Sequence, residues 1–180
     1  MFQQAYSEVA TPFIKLDDYI RSVLLFDLSR DVRELSDRFI ENYYKEAAPY
    51  IREYLTYLRR HYEMVAVPNG YSGAIYHSVI QKKYWPLSSL MEMKVIFSKA
   101  YESISQLPEE RKKILKERLD FDSRFYRYCL LELYPEYFTK QERQQMLAEW
   151  ACVNEKEPLK EHSVRIPMSE KLKEWTERTV

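Results

Sequence analysis

His61, His77, His162, Cys129 and Cys152 are the side chains of this 180-residue chain best suited to metal ligation or nucleophilic chemistry. Their spacing supports neither. No HExxH or ExxH pair occurs and the cysteines lack CxxC spacing, whereas a zinc or di-iron centre needs ligands that converge at fixed intervals. Neither a metal nor a cofactor is expected. Asp120-Phe-Asp122 sets two carboxylates two residues apart, which on a strand would face one way and could hold Mg²⁺. Here the pair falls at a junction between two helices, where Asp more often acts as a cap. Asp17-Asp18 lacks the DDxxD continuation of isoprenoid chemistry. The chain holds only two glycines, Gly70 and Gly73, so GxGxxG, GxxxxGK[ST] and GxSxG are all absent. Phosphate cradles and nucleophile elbows need the backbone room that glycine supplies. The common α/β nucleotide-dependent enzymes and hydrolases are thereby excluded. A small all-helical enzyme is only a residual reading, and a non-enzyme is expected.

Two other constellations could bind rather than react. Tyr43, Tyr50 and Tyr57 repeat every seven residues, with Tyr54 and Tyr62 beside them, in a chain of 16 tyrosines. Arg52, Arg59 and Arg60 share that helix. Tyr, Trp and Arg dominate interface hot spots, so Tyr50, Arg52, Tyr54, Tyr57, Arg59 and Arg60 are candidate protein-binding residues, suited to an acidic partner. Against this, a tyrosine equally serves a core by burying its ring while its hydroxyl finds a partner.

The second constellation is Arg111, Lys112, Lys113 and Lys116, followed by Arg124-Phe-Tyr-Arg127-Tyr, where bases interleave with aromatics as in single-strand binders. Seven basic residues in 109–127 face five acidic ones, and i,i+4 ion pairs on a solvated helix explain the pattern as well. Leu107-Pro-Glu-Glu-Arg-Lys-Lys-Ile-Leu115 resembles the opening of the helix-turn-helix region in sigma-like and phage late-regulator proteins. The SRFYRYCLLELY that follows is too apolar to lie in a groove, and no family is assigned.

These side chains must be positioned by helices. Apolar residues make up 46% of the chain and mean hydropathy is −0.56, which fits a globular chain rather than a membrane-spanning one. The opening MFQQAYSEVATPF lacks a basic n-region and an apolar h-region, so no secretory signal is expected. Two cysteines are too few for a disulfide framework, which favours a cytoplasmic location. Basic and acidic residues balance at 28 each, against a generally nucleic-acid-binding composition.

Thr11-Pro12 should open a first helix carrying Phe13, Leu16, Ile20, Leu24 and Leu28 on one face. A second pattern runs from Val32 to Val65, with a kink at Ala47–Pro49. Pro68-Asn69-Gly70 is turn chemistry. Residues 64–78 then form either a small β-hairpin or a loop between helices, and the β-prone run at 163–166 lends the hairpin some weight. Ser89 and Glu92 suggest a capping box, as do Thr139 and Glu142. Leu107-Pro108-Glu109-Glu110 begins another helix. The helix Ser123–Tyr134 is apolar around nearly its whole circumference, which marks it as central or as an oligomer seam. Residues 153–167 read as a connector, and a last short helix with Met168, Leu172 and Trp175 must dock on its own body or on a partner.

The sequence thus predicts an all-α compact bundle of about seven or eight helices, with a helical domain at 1–152 and a connector plus docking helix at 153–180. The function it favours is a non-enzymatic cytoplasmic adaptor, inhibitor or regulator. Its contacts would be Tyr50, Arg52, Tyr54, Tyr57, Arg59, Arg60 and Trp175. The partner would be another, acidic protein, or a second copy in a homo-oligomer, and not a membrane. The alternative is a nucleic-acid-binding regulator of phage or mobile-element type using Arg111, Lys112, Lys113, Lys116, Arg124 and Arg127.

Overall fold

The computed structural model describes residues 12–71, 79–156, 161–163 and 166–179, the side chains of 161–163, 166 and 179 excepted. The fold is all-α. Its helices are α1 (Ile14–Phe26), α2 (Val32–Tyr44), α3 (Ala48–His61), α4 (Leu87–Ser103), α5 (Glu109–Asp122), α6 (Arg124–Leu133), α7 (Lys140–Lys156) and α8 (Met168–Thr179). Two short strands, β1 (Glu161–Ser163) and β2 (Ile166–Pro167), pair antiparallel within the expected connector. Thr11, the expected first cap, lies outside the described residues.

Local chemistry sets the helix ends. Phe13 sits in the left-handed region at φ 61°, and α1 begins only after it. At the other end the Asp27 carboxylate accepts from the Ser29 amide and hydroxyl, which ends α1 at Phe26 and leaves Leu28 outside the helix. Asp31 caps α2 by accepting from the amides of Arg33 and Glu34 at 2.7 and 3.0 Å. The chain breaks where Pro49 predicts: Lys45–Ala47 form a 3₁₀ turn, and Pro49 lies in the first turn of α3. Thr139 and Glu142 form the reciprocal capping box, with the Thr139 amide donating to Glu142 and the Glu142 amide to Thr139. The box at Ser89 does not form. Pro86 starts α4 one turn earlier, its carbonyl taking the amides of Ser89 and Leu90, and Ser89 is buried inside the helix.

Gly70 ends the helical stretch that follows α3. Beyond His61 the chain continues as a π-helical turn, Tyr62–Ala66. The Gly70 amide then donates to the Val67 carbonyl and the Tyr71 amide to that of Ala66, with Gly70 at φ 82°. This is the Schellman helix ending, which places glycine where a Cβ would be strained. Val65 and Ala66 are therefore helical, which is the helix-end alternative rather than the first strand of a hairpin. The second half of the hairpin reading, 72–78, lies outside the described residues.

Two cores form. The larger joins α2, α3, α4, α5 and α6 around Tyr44, Ile51, Tyr54, Met93, Phe97 and Leu130. The smaller holds Leu131, Trp150, Met168 and Trp175. α6 serves both, with Tyr126, Cys129 and Leu130 on the first side and Leu131 on the second, which accounts for its all-round apolar sequence. α7 runs past the expected boundary at 153 to Lys156. α8 docks on its own body.

His61 pins the end of α3. It is buried, its ring stacks on Trp85 at 4.8 Å, and its Nε2–H donates to the Tyr84 carbonyl at 2.6 Å. That acceptor requires the neutral Nε2–H tautomer or the cation. Burial pushes the pKa of His61 below its ordinary value, opposed by the hydrogen bond to Tyr84. The unfolded chain binds the proton more readily, so this stability is present above pH about 6.5 and is lost as pH falls through the lowered folded value. Chemical denaturation at pH 7.5 and 5 should show a falling midpoint in the wild type. The His61→Gln variant, less stable at both, should show a smaller fall; equal falls would remove His61 from the pH response.

Candidate interaction surface

The tyrosine ridge on α3 turns inward. Tyr54 is 1% exposed, packed edge-on to Phe97 at 4.8 Å and stacked near Phe13 at 5.6 Å. Burial, followed by the charges that Cys129, Asp122 and Tyr126 carry when ionised, pushes its phenol well above the usual range. Tyr50 and Tyr57 are half-buried against the same core. Arg52 spans from α3 to α2, meeting Asp37 at 3.1 Å and Glu41 at 2.7 Å. Arg59 pairs with Glu63 one turn on, and Arg60 is exposed. Trp175, 1% exposed, is a core residue of the α7–α8 contact and offers no outward surface. The ridge therefore supplies core area, as amphipathic rings commonly do.

Most of the basic segment is paired within the chain, although Arg111, Lys113 and Lys116 stay exposed. Arg111 pairs with Glu46, Lys112 lies 3.8 Å from Glu109, and Lys116 meets Asp120 at 2.7 Å. Arg124 is buried, its Nε donating to the Phe121 carbonyl, so it cannot reach a phosphate. Arg127 donates to Glu149 at 2.9 Å and to the Tyr101 hydroxyl at 3.2 Å. Lys113 alone of the six is exposed with no ion pair within 4 Å among the described residues. Asp120 and Asp122 diverge rather than converge: the first accepts from Tyr101 and Lys116, the second from the Phe13 amide and the Tyr44 hydroxyl. Among the described residues no group of three or more His, Cys, Asp or Glu side chains is arranged to hold a metal ion.

Among the described residues the tip joining α1 to α2 gathers the most exposed apolar side chains, with Met64 exposed elsewhere, on the π-helical turn. Leu25, Phe26, Leu28 and Val32 are 53, 93, 81 and 51% exposed. α1 packs chiefly against α2, so its C-terminal half has little body to cover it. Sequence periodicity missed this set because it assigned Leu24 and Leu28 to a buried face. The Asx turn at Asp27 shortens the helix and turns Leu28 out instead.

Two acids at this tip are engaged locally. Ser29 holds the Asp27 carboxylate and keeps its pKa below the usual carboxylate range, aided by Arg30, while Asp31 caps α2. Arg30 and Arg33 are exposed alongside. The tip thus combines uncovered apolar side chains with two guanidinium groups and three carboxylates, Glu34 included, on backbone fixed by a turn and a cap.

The profile of a family described as a domain of unknown function (DUF4838) matches residues 1–56. That span is less than half of the chain, and it includes α1, the tip and α2. No curated protein matches the chain, and no solved structure does. Among the described residues no helix is long and apolar enough to cross a membrane.

Proposed function

We propose that the chain is a non-enzymatic protein-binding module, an adaptor or regulator, whose contact surface is the α1–α2 tip. The observation that carries this reading is the run of uncovered apolar side chains at Leu25, Phe26, Leu28 and Val32. Contiguous exposed apolar residues rimmed by polar ones mark interaction sites, and aromatic and arginine side chains are the usual anchors. The partner is a protein segment carrying apolar residues, and the charged rim it meets is mixed: Arg30 and Arg33 stand beside Asp27, Asp31 and Glu34, all exposed. Apolar burial at the centre with arginines at the rim gives binding that weakens only modestly with salt.

The test retrieves partners from native lysate, nuclease-treated and untreated, with three tagged chains: wild type, Phe26→Asp/Leu28→Asp, and Lys112→Glu/Lys113→Glu/Lys116→Glu. All three should melt alike, since the tip pair is exposed. The expected result is one stoichiometric protein held by the wild type and the lysine variant after nuclease, and reduced at least tenfold by the tip variant. Undiminished retention by the tip variant overturns the reading. So does recovery of nuclease-sensitive nucleic acid that the lysine variant loses, or a wild type that retains no protein.

A further inference from the structure

A cleft of about 340 Å³ opens between α4, α6 and α7, away from the tip, in the size range of small-molecule sites of roughly 300–1,000 Å³. Its apolar lining is Leu130, Phe138 and Met146, and its charged lining includes Lys94, Arg127, Glu142 and Glu149. Formal charges cancel, but they are not equally available. Both Glu149 oxygens are engaged, one by Arg127 at 2.9 Å and the other by Gln145 at 3.0 Å. Glu142 accepts from the Thr139 amide and hydroxyl at the start of α7 through Oε2 alone, and its charge lies near enough to Lys94 to be stabilised by it. Arg127 is fixed in turn by Glu149 and Tyr101.

Lys94 is different. Its ammonium is exposed and lies 5.9 Å from the centre of the Phe138 ring, a long cation–π contact. It stands where the polar rim meets the apolar wall. A cationic ligand would find the aromatic face already shadowed by a lysine. An anion would gain a charge-assisted hydrogen bond there and could lay an apolar body along Phe138, Met146 and Leu130.

We propose that this cleft binds a small organic carboxylate, the carboxylate at Lys94 Nζ and the apolar body against Phe138 and Met146. Arg127 acts as a positioning residue, joining α6 to α7 through Glu149 and to α4 through Tyr101 so that the walls keep their separation. The assignment is independent of the tip.

Methyl NMR of the full chain labelled at its methionines tests it, with phenylacetate as probe and phenethylamine as its charge-inverted counterpart. Phenylacetate should move the Met146 methyl resonance saturably at millimolar concentration and leave that of Met64, exposed on the π-helical turn, in place. Phenethylamine should bind at least tenfold more weakly. Lys94→Glu, an exposed change that preserves the fold, should weaken phenylacetate at least tenfold, while Lys112→Glu should not. A Met146 resonance unmoved by millimolar phenylacetate overturns the site. Equal response to the amine, or undiminished binding by Lys94→Glu, overturns the carboxylate assignment.

Discussion

Replacing Asp122 with Ala should destabilise the whole bundle by about 3–5 kcal/mol, a large part of the ~5–15 kcal/mol available to a domain. Asp122 is 3% exposed at the end of α5. One oxygen accepts the Phe13 amide at 2.5 Å and the other the Tyr44 hydroxyl at 2.6 Å. These bonds tie the start of α1 and the end of α2 to α5. Tyr44 is 1% exposed, and burial followed by the Asp122 charge pushes its phenol far above the usual range, so it remains a neutral donor. Truncation strands both donors in a space that water cannot readily fill, and hydrogen bonds to charged groups are each worth about 1.5–3 kcal/mol.

Chemical denaturation should give a lowered midpoint. Asp122→Asn, which keeps one acceptor for Phe13, should lose less, and Tyr44→Phe should lose about 1–2 kcal/mol. The double variant Tyr44→Phe/Asp122→Asn should lose less than the sum of the two, because they share one bond. Strict additivity would show that the carboxylate stabilises without Tyr44.

Trp175→Ala should release α8 while sparing the larger core. The Trp175 ring meets Trp150 edge-on at 5.6 Å and Tyr128 at 4.9 Å, and its Nε1–H donates to Glu132 at 2.8 Å. Glu132 also pairs with buried Lys171 at 3.0 Å, placing an ion pair beside the indole. Large-to-small changes of this kind cost about 3–5 kcal/mol, and a helix of 12 residues is marginal without its tertiary contacts.

Hydrogen exchange should show α8 amides losing protection, while amides of α3 and α4 keep theirs, because the smaller core is separate from theirs. Trp175→Phe keeps ring contact but loses the bond to Glu132 and should show a partial effect. If α8 stays as protected in Trp175→Ala as in the wild type, the ion pairs rather than the indole hold it. Simultaneous loss of protection in α3 and α4 would mean that the two cores unfold as one unit.

Helix identity was legible because it rests on local chemistry. Apolar spacing, Pro49, the Leu107-Pro108 start and the Thr139–Glu142 box act within one or two turns, and each is present in the fold. The all-round apolar pattern of α6 likewise foretold its central place between two cores. Where the reading slipped, a competing local or distant bond won. The Asp27–Ser29 turn ended α1 early, and Pro86 displaced the cap expected at Ser89. At 64–78 the sequence leaves both a hairpin and a helix ending open, since Asn-Gly chemistry is common to both and only the amide partners differ; Gly70 ends a helix.

Surface and core could not be told apart for aromatic and basic side chains, and that distinction decides the candidate site. Tyrosine and arginine serve either place, their type being the same whether the partner belongs to the same chain or to another. Tyr54 found Phe97 and Phe13, Trp175 found Trp150, and Arg127 found Glu149 across sequence separations that no spacing rule reaches. Sequence alone therefore determined an all-helical chain and most of its breaks, because capping and periodicity are short-range. Tertiary packing decided which helix faces stay uncovered, because exposure depends on what the rest of the chain brings alongside: for α1 that is little beyond α2, and Phe26 and Leu28 remain in solvent.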